Sequence, residues 1–333
     1  MRRREFVALL GGATTLPFAK SVPARAQQPD RMRLIGVVMA YAESDPAARA
    51  MFAAFRNTLA ALGWTEGSNL RIELRWSAGD ADKIKTFTKE LVDLRPDVIL
   101  CQGTVVTGSL VRDTRTIPIV FVNVADPIGG GFITSLARPG GNVSGFMVDS
   151  SAQGGKWVQL LKEIAPRTVR VALLLNPETG PPLQLFMPSI QAAASSFAVE
   201  VRAAPVHAKQ EIEGVIAAQA RDPGGGLVVI PAAFSTVNRD LIIALTAQYG
   251  LPAIYFDRFF TDSGGLIAYS ADFLEHFRPA AGYIDRILRG AKPADLPVQA
   301  PTKFELFINL KTATALGLTV APSMLARADQ VIE

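Results

Sequence analysis

Asp97-Val98-Ile99-Leu100-Cys101-Gln102-Gly103-Thr104 and Leu227-Val228-Val229-Ile230-Pro231-Ala232-Ala233-Phe234 carry the same message at two places in the chain. Each begins as a short aliphatic run without polar alternation, as a strand buried on both faces requires, and each then turns into a helical stretch. The following segments also correspond: Thr116-Ile117-Pro118-Ile119-Val120-Phe121 is matched by Gly250-Leu251-Pro252-Ala253-Ile254-Tyr255. Strands of this kind separated by helices build parallel sheets covered on both faces.

Working outward, residues 33–39 read as a strand and 45–62 as a helix, opened by Ser44-Asp45-Pro46 and closed by Gly63. Alternating Leu70, Ile72, Leu74 and Trp76 form a strand, followed by helix 80–94, strand 97–100, helix 104–114 and strand 118–122. A second series has strands at 171–175, 200–203, 227–230 and 253–256, with helices at 182–197, 210–220 and 238–249 between them. The tail adds strand 266–269, helix 272–289, strand 304–308 and helix 310–316. The fold class is therefore α/β: two doubly wound, Rossmann-like parallel-sheet lobes joined by a multi-strand hinge. The expected division gives 33–148 with about 259–295 to the first lobe, and 149–258 with about 296–325 to the second. The chain would return to the first lobe near Phe259 and cross again near Leu296-Pro297. Repeated crossings make a hinge, and a cleft facing the carboxyl ends of both sheets is a natural ligand site.

The 333 residues are 49% hydrophobic and 19% charged, enough for two cores and incompatible with disorder. The formal charge of +4 is accounted for by Arg2, Arg3, Arg4, Lys20 and Arg25 against Glu5; the other 307 residues hold 29 basic and 29 acidic side chains. A neutral body lacks the clustered cations that nucleic acid or an anionic membrane would need. The single cysteine, Cys101, rules out an internal disulfide, and only His207 and His276 are available as imidazole ligands, so no metal or other cofactor is expected. The glycine triplets 129–131 and 224–226 lack the spacing of a nucleotide loop and read as turns.

Residues 1–26 read as an export signal: a basic start, a short apolar run and Ala24-Arg25-Ala26 as a small-x-small cleavage site. Arg3-Arg4-Glu5-Phe6-Val7 fits the twin-arginine route, and no cysteine follows the cleavage site to accept lipid. No later apolar run reaches the roughly 20 residues of a membrane span, so a periplasmic protein without stable membrane insertion is expected.

Candidate ligand residues lie where strands end. Tyr41 would bring a ring and a hydroxyl to the cleft, or else sit on a surface loop. Gln102, Gly103 and Thr104 open a helix whose N–H groups form an anion-binding arrangement, with plain capping by Thr104 compatible with it. Asp126 ends the next strand, either facing ligand or making an Asx turn into Pro127. Phe234, Asp257 and Arg258 are the second-lobe counterparts, Asp257 and Arg258 being also able to pair with each other. No catalytic constellation is visible around either histidine.

Six stretches in this order resemble a known family: Arg33-Leu34-Ile35-Gly36-Val37, Leu62-Gly63-Trp64-Thr65-Glu66-Gly67, Ala125-Asp126-Pro127, Ala137-Arg138-Pro139-Gly140-Gly141-Asn142, Lys156-Trp157 with Leu160-Leu161-Lys162, and Ile308-Asn309-Leu310-Lys311-Thr312-Ala313 with Leu316-Gly317. Together they resemble the ABC-transporter substrate-binding proteins of the tryptophan/tyrosine-binding type. The resemblance implies a type I periplasmic binding protein with three crossovers, holding a small organic ligand by hinge closure and delivering it to an ABC permease driven by its ATPase. Aromatic-amino-acid binders of the family present an acidic residue after the third strand of the second lobe, where this chain has Pro231-Ala232-Ala233-Phe234. An amino acid, an aromatic acid and a short carboxylate thus all stand as ligand classes. The rival readings are an exported enzyme and a ligand-sensing partner of a membrane receptor.

Overall fold

The computed structural model describes residues 31–148 and 151–333, so the export signal expected at 1–26 lies outside the described residues. The first sheet grows by strand–helix alternation through β1 (Arg33–Met39), α1 (Pro46–Ala61), β2 (Leu70–Trp76), α2 (Ala81–Asp93), β3 (Val98–Gln102), α3 (Thr104–Asp113), β4 (Ile119–Ala125) and β5 (Val143–Val148). Its order is β2-β1-β3-β4-β5, with every pair parallel. The buried runs foreseen at 97–100 and 118–122 are its central strands β3 and β4, whose residues are all buried. Helix α1 begins where the Asp45 carboxylate accepts N–H bonds from Ala47 and Ala48, and its Ala48, Met51, Phe55 and Leu59 stripe enters the core.

The chain then passes to α4 (Gln153–Ile164), β6 (Arg170–Leu175), α5 (Met187–Ser196), β7 (Glu200–Pro205), α6 (Glu211–Ala220), β8 (Gly225–Val229), α7 (Ala233–Val237), α8 (Arg239–Gln248), β9 (Ala253–Tyr255), α9 (Arg258–Asp262) and β10 (Ile267–Ser270). Next come α10 (Phe277–Leu288), β11 (Glu305–Asn309), α11 (Leu310–Ala315), α12 (Pro322–Leu325) and β12 (Gln330–Ile332). The second sheet runs β12-β11-β10-β9-β8-β6-β7, parallel except where β11 meets β10. Two α/β lobes result, as the repeated pattern required.

The crossings fall later than expected. Segment α9 and β10 stay with the second sheet, because β10 pairs in parallel with β9. The return comes at 271–276, after which α10 packs on α1, β3 and β4 of the first lobe. Nor does the chain leave at Leu296-Pro297. The Val298 amide donates to the Leu136 carbonyl at 2.7 Å, the Gln299 amide donates to the Gly145 carbonyl at 3.0 Å, and its carbonyl accepts from Met147 N–H at 2.8 Å. Gln299 thereby covers part of the β5 edge, and the last crossing lies at 300–304. The second lobe extends past 325 to include β12, which covers the β11 edge. Strands β5 and β12 were not foreseen: β12 has only three residues, and β5 carries Gly145 within it.

Candidate ligand site

The carboxyl ends of the two sheets face one another across a cavity that opens to the surface. The first lobe supplies Tyr41, Gln102 to Val106, Asn123 and Ala125; the second supplies Thr179, Pro181, Pro231 to Ala233 and Phe256. An aromatic wall, Trp157, Phe186, Phe256 and Phe273, closes the hinge side. Trp157 is fixed there by donating its ring N–H to the Tyr269 carbonyl at 3.0 Å, with its ring centroid 5.4 Å from that of Phe186. Among the described residues none lining this cavity carries a formal charge.

Tyr41 lies in the cavity wall as expected, and it is buried. Burial raises its phenol pKa far above the usual value, with the negative charge of Asp257 adding to the effect, so the hydroxyl remains a hydrogen-bond donor. Gln102 also lines the cavity, but its side-chain carbonyl accepts the Ala40 N–H at 3.1 Å and its amide nitrogen faces Met51 Sδ at 3.5 Å. It ties the end of β1 to β3, and the amide proton not directed at Met51 is the part left for a ligand.

Gly103 and Thr104 shape the polar end. Helices α1 and α2 are each capped by an aspartate, Asp45 and Asp80, whereas α3 is preceded by Gly103 at φ 88°, with no side chain to cap it. The N–H groups of Thr104, Val105 and Val106 therefore open on the cavity without a partner among the described residues, and they give it a local positive potential. The Thr104 hydroxyl accepts the Ala125 N–H at 3.0 Å, leaving its own proton free to donate. The corresponding second-lobe turn is closed: the Ala233 and Phe234 amides donate to the Thr179 carbonyl and hydroxyl, both at 3.3 Å.

Four expected residues sit elsewhere. Asp126, at φ 42°, accepts the Gly129 N–H, three residues on, at 2.8 Å and does not reach the cavity. Phe234 lies one position beyond the inward-facing Ala232 and Ala233 and borders an outer vestibule with Gly79 and His207. Asp257 caps α9 by accepting the Phe259 N–H at 3.1 Å; its other oxygen is buried without a hydrogen-bond partner, and burial pushes its pKa up to about 7. Arg258 does not pair with Asp257 but lies between Asp262 and Asp272, each at 3.8 Å, with its guanidinium over the Phe259 ring.

Sequence reasoning missed Asn123 and the aromatic wall. Asn123 interrupts the apolar run of β4, adopts φ 55° at a register shift against β5, and reaches the chain return by donating to the Phe273 carbonyl at 3.4 Å. A polar residue inside a buried run was the available signal. Phe256 was one residue from Asp257, and neighbouring residues of an extended strand end face opposite sides.

This geometry agrees with the comparison to known proteins. Residues 36–332 match the ABC transporter substrate binding protein family. The chain belongs to that family. Among relatives of this substrate-binding protein is a tyrosine-binding protein of Clostridioides difficile (strain R20291), 24% identical over 265 residues, which are 77% of this chain and 73% of the relative. The ABC domain from Streptococcus pneumonia solved in complex with L-Trp is 24% identical, with a TM-score of 0.81 over 90% of this chain and 99% of the other. A substrate binding protein with adhesive properties from Clostridium difficile, solved in its ligand-free, open form, is 20% identical, with a TM-score of 0.63 over 90% and 99% of the two chains. Among the described residues no helix is long and apolar enough to cross a membrane.

Proposed function

We propose that this substrate-binding protein works in the periplasm, where it captures a flat organic carboxylate in its inter-lobe cavity and delivers it to an ABC permease and its ATPase. The observation that carries the ligand class is the pairing of an uncapped α3 N-terminus with an aromatic wall in a cavity lined by uncharged side chains. A carboxylate at the Thr104, Val105 and Val106 amides would receive several N–H bonds and the favourable end of the helix dipole. The rest of the molecule would lie against Trp157, Phe186, Phe256 and Phe273, with Tyr41 and Asn123 as hydrogen-bonding partners. The tyrosine and L-Trp named with two of the relatives fit this division, so aromatic amino acids and their deaminated analogues lead the candidates. An α-ammonium would find neutral oxygens in the wall, not a carboxylate.

Binding without chemistry is the preferred reading, because the wall presents no carboxylate, imidazole or thiol for general acid–base or nucleophilic work. The sequence 1–26 supports export, with Arg3-Arg4 favouring the twin-arginine route. The test is a thermal-shift and calorimetric screen of aromatic amino acids, aromatic acids without the amino group, their methyl esters and short aliphatic carboxylates. Ligand at 100 times its Kd adds about 2.7 kcal/mol to stability. Free aromatic acids should raise the midpoint and their esters should not. Stabilisation by cationic compounds alone would overturn the assignment, and mass spectrometry showing the ligand altered would favour an enzyme.

A further inference from the structure

The two lobes also meet outside the cavity, through charge. Nη1 of Arg239, the first residue of α8, lies 3.3 Å from Oδ2 of Asp45, the residue that caps α1 on the opposite lobe. Both side chains are withdrawn from solvent, 11% and 7% exposed. Neither lines the cavity, although both charges act on Tyr41, which does.

The other Asp45 oxygen accepts the Ala47 N–H at 2.8 Å, which aims the carboxylate. Arg239 places a cation at a helix N-terminus, where the dipole disfavours it, so its own helix gains nothing from it. Its Nε is buried without a hydrogen-bond partner, the Asp240 carboxylate standing 3.7 Å away. The arrangement makes sense as a contact across the seam. Two further contacts share that seam: the Tyr41 hydroxyl is set against Thr236, and the backbone at Gly79 reaches that of Ala233 and Phe234.

We propose that Asp45 and Arg239 form a clasp that holds the lobes shut before any ligand arrives, so that the ligand-free protein populates a closed form. When the lobes part, each charge is rehydrated and the low-dielectric attraction is lost; the clasp is therefore an energetic difference between closed and open forms. A ligand that binds the closed form then finds more of it, and the apparent Kd falls by the same factor. The inference goes beyond the carboxylate reading and needs no ligand for its test.

The experiment measures distances between spin labels in the ligand-free protein. Lys89→Cys on α2 and Ala218→Cys on α6 place labels on exposed positions of opposite lobes, while Cys101 is buried and leaves labelling specific. The unmodified clasp should give a short-distance population. Arg239→Leu should deplete it about ten-fold in favour of a longer distance, because one lost charge leaves the other buried and unpaired in the closed form. Asp45→Asn retains an oxygen to cap α1 and should act likewise; Arg239→Lys should restore part of the closed population. Combining Arg239→Leu with Asp45→Asn should do no more than either alone. Unchanged distance distributions in both single variants, additive effects in the double variant, or an exclusively long distance in the starting protein would each overturn the proposal.

Discussion

Nδ1 of His276 lies 2.6 Å from Oδ1 of Asn123, joining the start of α10 to the irregular end of β4. A carboxamide oxygen only accepts, so this nitrogen carries the proton, and the ring stacks at 6.3 Å on Phe146. The bond pins the chain where it returns to the first lobe.

Acid should loosen that point. Desolvation pushes the His276 pKa down to about 4 from 6.5, the Asp272 charge opposing only in part. The unfolded chain therefore binds a proton that the folded one refuses between those values. The contribution, about 3 kcal/mol, is complete above pH 6.5 and is lost as pH falls toward 4. His276→Gln should remove this slope, so that in denaturant titrations run from pH 4 to 7 the variant becomes less stable with rising pH, where the unsubstituted protein is nearly level through the opposing effect of Asp257. An unaltered slope would count against the assignment.

Asp257 should act in the opposite sense. Its pKa, raised to about 7 from 3.8 chiefly by burial, means that the folded protein holds a proton the unfolded chain has released. Stability from this group is present at low pH and is lost as pH rises through 7, by about 4 kcal/mol. Between pH 4 and 6.5 the two groups nearly cancel, so the unsubstituted protein should show a flat profile there. Asp257→Asn keeps an acceptor for the Phe259 amide and cannot ionise. It should melt higher than the unsubstituted protein at pH 8 and equally at pH 4.

Thr104→Val should lower both affinity and stability. The Thr104 hydroxyl both faces the cavity and accepts the Ala125 N–H, so its loss strands a buried donor at a cost of about 1–3 kcal/mol. Binding of the carboxylate identified by the screen should weaken roughly 10- to 100-fold. Thr104→Ser should recover both quantities. A valine variant that binds as before would place the carboxylate elsewhere in the cavity.

Gly79→Ala should hold the lobes apart. A β-carbon at this position, where φ is 70°, would lie 3.0 Å from the Phe234 amide nitrogen and 3.1 Å from the Ala233 carbonyl carbon across the seam. Backbone cannot yield as a flexible side chain does, and the residue's own conformation adds about 1–2 kcal/mol of strain. Small-angle scattering of the ligand-free variant should give a larger radius of gyration than the unsubstituted protein. An equal radius would show that the seam absorbs the methyl group.

The strand ends that face the cavity were legible because buried runs such as 97–100 and 227–230 end abruptly at turn residues. Which residue beyond each end turns inward was harder to read. Phe234 and Asp257 were each placed one residue away from an inward-facing position, Ala233 and Phe256, because helix entry and strand exit rotate the chain in ways that composition does not record. Asp126 illustrates the same limit, its left-handed backbone turning the carboxylate onto Gly129. The crossings were mislocated because pairing decides them: Gln299 remains with the first lobe through bonds to Gly145 and Met147, distant in sequence and invisible to a local pattern. Trp157 was noticed only as part of a family signature, since its role depends on a wall assembled from Phe186, Phe256 and Phe273.

The sheet order also dictates when the molecule can be finished during synthesis. Strands β11 and β12, which extend the second sheet beyond β10, come from the last stretch of chain, after it has already gone back to lay α10 over the first sheet. A nascent chain cut short at 300 would have both sheets started, with the edge of β10 bare and inviting association with other chains. Strand β12, Gln330–Ile332, then covers the β11 edge. The second sheet is thus closed only after α10 is in place, and a stop codon between α10 and β11 should yield an aggregating fragment instead of a working single lobe.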